Sequence, residues 1–77
     1  MATVIVYSTP TCPWCHRATD YFTEKGVEFT DYDVSVDTDK AQEMIEKSSQ
    51  RGVPVIDIDG TIIIGFDKPK IDGLLGL

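Results

Sequence analysis

Two runs of β-branched residues on either side of Asp59-Gly60 constrain the fold more than any other part of this sequence. Residues 53–58 and 61–64 are typical of strands, and Asp-Gly is a preferred dipeptide for a two-residue type I′ turn. The pattern therefore predicts an antiparallel hairpin. Pro54 must lie at the start or the edge of its strand, because proline cannot donate a hydrogen bond to a sheet.

The sequence before the hairpin predicts a strand, a helix and a second strand. Residues 3–7 form a β-branched run without polar alternation, which is typical of a strand covered on both faces. Pro13 favours the first position of a helix, so the helix should run over residues 13–25 with Cys12 as its N-cap. Gly26 should close this helix in the left-handed conformation, and residues 27–34 should form a strand parallel to the first. The helical side chains expected to face the core are Cys15, Ala18 and Phe22.

Two further helices are expected, one on each side of the hairpin. Residues 39–48 have helical periodicity, and Asp39 with Gln42 resembles a capping box. Asp67 should cap the last helix, with Lys68 and Pro69 in its first turn. The side chains expected to face the core are Ala41, Met44, Ile45, Ile71, Leu74 and Leu75. The order β-α-β-α-β-β-α predicts one α/β domain over residues 1–77.

Composition narrows the possible partners and the compartment. The net charge of −6, from 13 acidic and 7 basic residues, argues against nucleic-acid binding, which depends on clustered Lys and Arg. No apolar run is long enough to cross a membrane, and residues 1–7 do not resemble a signal peptide. We therefore expect a cytoplasmic protein without a membrane partner. In that compartment, an isolated Cys-x-x-Cys pair is more often catalytic than structural.

The chain has two cysteines, in the sequence Cys12-Pro13-Trp14-Cys15. A disulfide between them would close so small a ring that it would contribute at most about 2 kcal/mol to stability. The spacing suits thiol–disulfide exchange instead, in which a second thiol releases the mixed disulfide formed by the first. As the helix N-cap, Cys12 would lie near unpaired backbone N–H groups and the positive end of the helix dipole, which favour its thiolate form. We expect Cys12 to be the nucleophile and the more buried Cys15 to be the resolving thiol.

Other readings of the cysteine pair remain open at this point. A zinc site needs four ligands, and only His16 could join the two cysteines, so we expect no metal site within one chain. A dimer that carries an iron–sulfur cluster through Cys12 is an alternative function, and a domain that only binds partners is another. Trp14 would pack against a bound disulfide substrate, and Val53 would offer backbone groups to an extended ligand.

Three motifs in order resemble the glutaredoxin family, specifically the short prokaryotic glutaredoxin-like and NrdH-type redoxins. They are residues 11–15 followed by Arg17-Ala18, then residues 51–54, then residues 65–67. The resemblance implies a thioredoxin fold: a four-stranded mixed sheet of order 2-1-3-4 flanked by three helices. It also implies that Pro54 is cis and faces Cys12. By the same resemblance, Thr11, Pro13 and Trp14 support the active site, and the substrate or glutathione contacts are Arg51, Val53, Pro54, Gly65, Phe66 and Asp67.

The resemblance leaves the electron donor open. Thr9 stands where glutathione-using members have a lysine, and Lys68 stands where they have a second aspartate, whereas Arg51 and Asp67 match. The resemblance implies a monomer without a bound cofactor that reduces protein disulfides or glutathione mixed disulfides. Either glutathione, as a co-substrate, or thioredoxin reductase would return it to the dithiol form.

Overall fold

Seven elements follow one another in the predicted order. The computed structural model describes residues 3–77, and Met1 and Ala2 lie outside the described residues. The elements are β1 (Val4–Ser8), α1 (Pro13–Glu24), β2 (Thr30–Asp33), α2 (Thr38–Ser48), β3 (Val55–Ile58), β4 (Thr61–Ile64) and α3 (Lys68–Leu75). Within residues 3–77, no helix has the length and apolar character needed to cross a membrane.

The four strands form one mixed sheet in the order β2-β1-β3-β4. β1 is parallel to β2 and antiparallel to β3, and β3 is antiparallel to β4. At the centre of the sheet, Val6 pairs with Asp31 on one side and with Ile56 on the other. The predicted α/β thioredoxin fold and its strand order are confirmed.

Alternation along the strands divides the core between the two faces of the sheet, because successive side chains point in opposite directions. Val4 and Val6 pack on the face that α1 and α3 cover, and Tyr7 packs with Met44 of α2 on the other face. The buried members of the α1–α3 layer are Val4, Val6, Ala18, Phe22, Ile56, Ile58, Ile63 and Ile71. β1 is therefore covered on both faces, as its sequence predicts.

The hairpin between β3 and β4 has the geometry that Asp59-Gly60 predicts. Both residues have positive φ, 50° for Asp59 and 91° for Gly60, which is the signature of a type I′ turn. Ile58 pairs with Thr61 across this two-residue connection. The turn joins strands whose twist it matches, so the local sequence is sufficient to specify this part of the fold.

The second strand is shorter than predicted, starting at Thr30 rather than at residue 27. The Val27 N–H donates to the Phe22 carbonyl at 2.8 Å, and Gly26 has a φ of 69°. Residue 27 therefore closes the C-terminal end of α1 instead of extending a strand. Since α1 itself ends at Glu24 with Lys25 as its cap, the predicted helix is confirmed to within one residue.

Three other details of the predicted elements are wrong. α2 begins at Thr38 with Asp37 as its N-cap, because the Asp37 carboxylate accepts the Lys40 N–H at 3.1 Å. Asp39 therefore lies in the first turn, and the expected capping box is absent from this end of α2. β3 starts at Val55, two residues later than predicted. On α3, Ile71 and Leu75 form the inner face, so Leu74 lies to the side of it and is 41% exposed.

A polar cluster lies between the sheet and α2. Lys47 donates to the buried Asp57 carboxylate at 2.8 Å and to the Tyr7 hydroxyl at 2.9 Å. The Tyr7 hydroxyl in turn donates to Glu43 at 2.6 Å, and the Gly60 N–H donates to Asp57 at 2.7 Å. Each carboxylate oxygen of Asp57 thus has a partner, which explains how an acidic residue is accommodated inside an aliphatic strand.

Candidate active site

Cys12 lies at the N-terminal end of α1, where the preceding turn places its sulfur above the first turn of the helix. Its Sγ accepts the Cys15 N–H at 3.1 Å, and it lies 3.8 Å from the Val53 carbonyl. Pro13 occupies the first helical position, as predicted. The Cys12 sulfur therefore lies at the positive end of the helix dipole, within hydrogen-bond distance of a backbone N–H, and this position suits a nucleophilic thiol.

Cys15 is one turn further into α1 and faces the interior. Its side chain is only 2% exposed, whereas that of Cys12 is half-buried. Burial raises the pKa of the Cys15 thiol to about 12, with smaller contributions from the neighbouring Cys12 and from the charge of Asp31. The two thiols therefore lie side by side in different environments, and Cys15 retains its proton at neutral pH.

An apolar groove of about 260 Å³ lies beside Cys12. Its lining residues come from three separate parts of the chain: Trp14, Val53, Pro54, Gly65 and Phe66. The Val53–Pro54 peptide bond is cis, and the Gly65 N–H donates to the Pro54 carbonyl at 2.8 Å. Trp14 is 55% exposed, so much of its indole ring is available to a ligand. The fold thus brings together five of the residues predicted to contact or support substrate.

Besides Pro13 at the start of α1, three other predicted site residues lie outside this lining. Thr11 is exposed in the turn before Cys12, and Arg51 is exposed in the loop that leads to Val53. Asp67 is also exposed, and its carboxylate accepts the Lys70 N–H at 3.5 Å as the N-cap of α3. The predicted cap is confirmed, while contacts of these three side chains with a ligand stay predictions.

A second, smaller cavity of about 100 Å³ lies on the other side of Cys15. Its lining includes Ser8 at the end of β1, Thr9 directly after it, His16 of α1 and Asp31 of β2. The Ser8 hydroxyl donates to the Asp31 carboxylate at 2.5 Å. A hydrogen bond of 2.7 Å joins Nε2 of His16 to the Pro10 carbonyl oxygen. The sequence analysis did not identify Ser8 and Asp31 as site residues, because they are 23 residues apart in the chain. The only local signal was Ser8 itself, a polar residue at the end of an apolar strand.

In the resolving role predicted for Cys15, its raised pKa should make the rate of the step depend on pH. Burial, its largest cause, persists in a Cys12 mixed disulfide, so the rate of resolution should rise about tenfold per pH unit between roughly pH 7 and 9. Asp31→Asn removes a negative charge that disfavours the Cys15 thiolate, and should increase the rate at pH 7 by about two- to fivefold.

Stopped-flow release of thiol from a preformed mixed disulfide measures this rate. Asp39→Asn is the matched control, because it removes the same charge from the exposed first turn of α2. A pH-independent rate, or equal rates for the two variants, would contradict the assigned electrostatic environment of Cys15.

Within residues 3–77, no group of three or more His, Cys, Asp and Glu side chains is arranged to hold a metal ion. The groups around the two sulfurs are instead apolar side chains, backbone N–H groups and isolated charged side chains. Such an arrangement can bind a peptide-like molecule beside a nucleophilic thiol.

Sequence comparisons with known proteins identify the family of this chain. The family profile for glutaredoxin matches residues 4–63. An uncharacterized glutaredoxin-like 8.6 kDa protein in the rubredoxin operon of Clostridium pasteurianum is 50% identical over 70 residues, which cover 91% of this chain and 93% of that protein. Glutaredoxin 3 of Escherichia coli K12 is 42% identical over 67 residues, with coverages of 87% and 81%.

The fold comparison gives the same result. The crystal structure of the glutaredoxin from Methanosarcina mazei Go1 matches with a TM-score of 0.84 at 26% identity, over 97% of this chain and 79% of that one. The family that the three sequence motifs resemble is thereby confirmed. Because the family profile and the relatives span most of its length, this chain belongs to the glutaredoxin family and is a thiol–disulfide oxidoreductase.

Proposed function

We propose that the chain is a monomeric dithiol electron carrier in which Cys12 attacks a disulfide and Cys15 resolves the product. The observation that carries this proposal is the asymmetry of the pair: the Cys12 sulfur accepts a helix N-terminal N–H and is half-buried, while Cys15 is buried, which raises the pKa of its thiol. A nucleophile and a resolving thiol need these two environments.

The proposed reaction transfers two electrons from the protein to the substrate. The Cys12 thiolate attacks one substrate sulfur, the substrate S–S bond breaks, and the departing thiolate takes a proton from water. Cys15 then loses its proton and attacks the Cys12 sulfur. The Cys12–Cys15 disulfide forms as the Cys12–substrate bond breaks, and the second substrate thiolate leaves.

The groove beside Cys12 is the proposed substrate site. Val53 would pair with the substrate backbone, while Trp14, Pro54 and Phe66 would cover its apolar part. The substrates are protein disulfides and glutathione mixed disulfides. Thr11 and Pro13 would support the turn that presents the Cys12 sulfur.

We further propose that glutathione reduces the oxidised protein, in the cytoplasm, where thiols are kept reduced. Glutathione is a peptide with two carboxylates and an ammonium group. Arg51 and Asp67, which are exposed and close in sequence to groove residues, would provide charges for such a ligand, and Gly65 itself lines the groove. Membership of the glutaredoxin family supports the same donor.

Trp14 fluorescence tests the donor directly, since Trp14 lies between the cysteines and is the only tryptophan. The oxidised protein is mixed with millimolar glutathione, or with NADPH and thioredoxin reductase, and the change in emission is followed. Rapid reduction by glutathione is expected. Reduction only by the reductase would overturn the proposed donor, and reduction by neither would overturn the electron-carrier function itself.

A further inference from the structure

Arg17 lies one turn after Trp14 on α1, and its guanidinium carbon is 4.8 Å from the centre of the Trp14 ring. Side chains three residues apart on a helix are neighbours, and an arginine over an indole face is a favourable cation–π pair. Trp14 also lines the groove with Val53 and Phe66. The guanidinium is therefore located beside the wall of the groove that this ring forms.

Within the described part of the chain, the Arg17 guanidinium forms no ion pair. The ion pairs found in residues 3–77 engage lysines, namely Lys40 with Glu43, Lys47 with Asp57, and Lys68 with Asp72. Arg17 has no carboxylate within ion-pair distance among these residues, although the chain carries an acidic excess of six. An exposed guanidinium beside a groove is thus available to an anion from outside the chain.

Stacking suits Arg17 to this role. The guanidinium group is planar, and contact of its face with an aromatic ring leaves the N–H groups at its edge free to bind a carboxylate in a bidentate manner. The ring also restricts the flexible side chain, so less conformational entropy is lost when an anion binds. A lysine ammonium at the same position would lack the planar contact.

We propose that Arg17 binds a carboxylate located next to the reacting disulfide of the substrate. Arg17 is then a specificity-determining residue that favours anionic peptide disulfides, such as those of glutathione, over uncharged ones. The inference rests on the proposed function, because it assumes that the substrate occupies the groove beside Cys12.

Arg17→Gln tests the proposal with two probes, glutathione disulfide and its tetraethyl ester, which keeps the peptide and removes its carboxylates. Trp14 fluorescence gives the second-order rate constant for oxidation of the reduced protein by each. We expect Arg17→Gln to lower the rate constant for glutathione disulfide about fivefold, and to leave that for the ester unchanged. At about 1 M salt the difference should largely disappear.

Lys25→Gln is the matched control, since it removes one positive charge from the other end of the same helix, where Nζ lies 5.8 Å from the Tyr21 ring. It should leave both rate constants at the wild-type value. An equal loss for both probes in Arg17→Gln would assign Arg17 a structural role, and no loss for either would also overturn the proposal. Failure of the proposed function is distinguishable, because the wild-type protein would then reduce neither disulfide.

Discussion

Cys12→Ser is expected to lower disulfide-reductase turnover by on the order of 10³-fold or more. The serine hydroxyl is ionised far less readily than a thiol and cannot form the mixed disulfide through which the proposed reaction passes. Steady-state reduction of a disulfide coupled to glutathione and glutathione reductase measures the turnover. Full activity of this variant would show that another group carries the chemistry.

Cys15→Ser is the matched control for this experiment, because it makes the same replacement of sulfur by oxygen one helical turn away. The Cys12 sulfur keeps its N–H donor, since that donor is the backbone of residue 15. The first attack should therefore proceed, and the protein should accumulate as a mixed disulfide with the substrate. Mass spectrometry of the intact protein detects this adduct, and its absence would contradict the assignment of Cys15 as the resolving thiol.

Phe22→Ala is expected to lower the free energy of unfolding by about 3–5 kcal/mol. Phe22 is fully buried between α1 and the sheet, and its ring packs 5.7 Å from that of Phe29 and 6.2 Å from that of Tyr21. Removing it leaves a cavity in the larger of the two core layers. Since small domains are stable by only about 5–15 kcal/mol, a large part of the stability should be lost.

Urea denaturation followed by circular dichroism measures this change. Val36→Ala is the control, because Val36 is 77% exposed and its truncation should change the free energy of unfolding by less than about 0.5 kcal/mol. A loss below about 1 kcal/mol for Phe22→Ala would contradict the burial of this ring in the core.

Prediction from the sequence succeeded where the signal is contained in a few consecutive residues. Asp59-Gly60 specifies the turn because both positions need positive φ, and Pro13 specifies a helix start because its ring fixes φ. Prediction from the sequence was less accurate at residues 27 and 39. There, the choice between strand and helix cap, or between Asp37 and Asp39 as the N-cap, depends on which hydrogen bond forms in the folded chain.

The sequence by itself determined the order of the elements, the roles proposed for Cys12 and Cys15 and the resemblance to a family, since turn residues, a helix N-terminus and motif spacing are all local. Only the tertiary structure decided which distant groups meet: Val53 beside Cys12, Ser8 with Asp31 beside Cys15, and Lys47 with Asp57 between α2 and the sheet. The physical reason is that these contacts form between residues 10 to 41 positions apart. Their partners are selected by strand register and helix packing, which no short segment encodes.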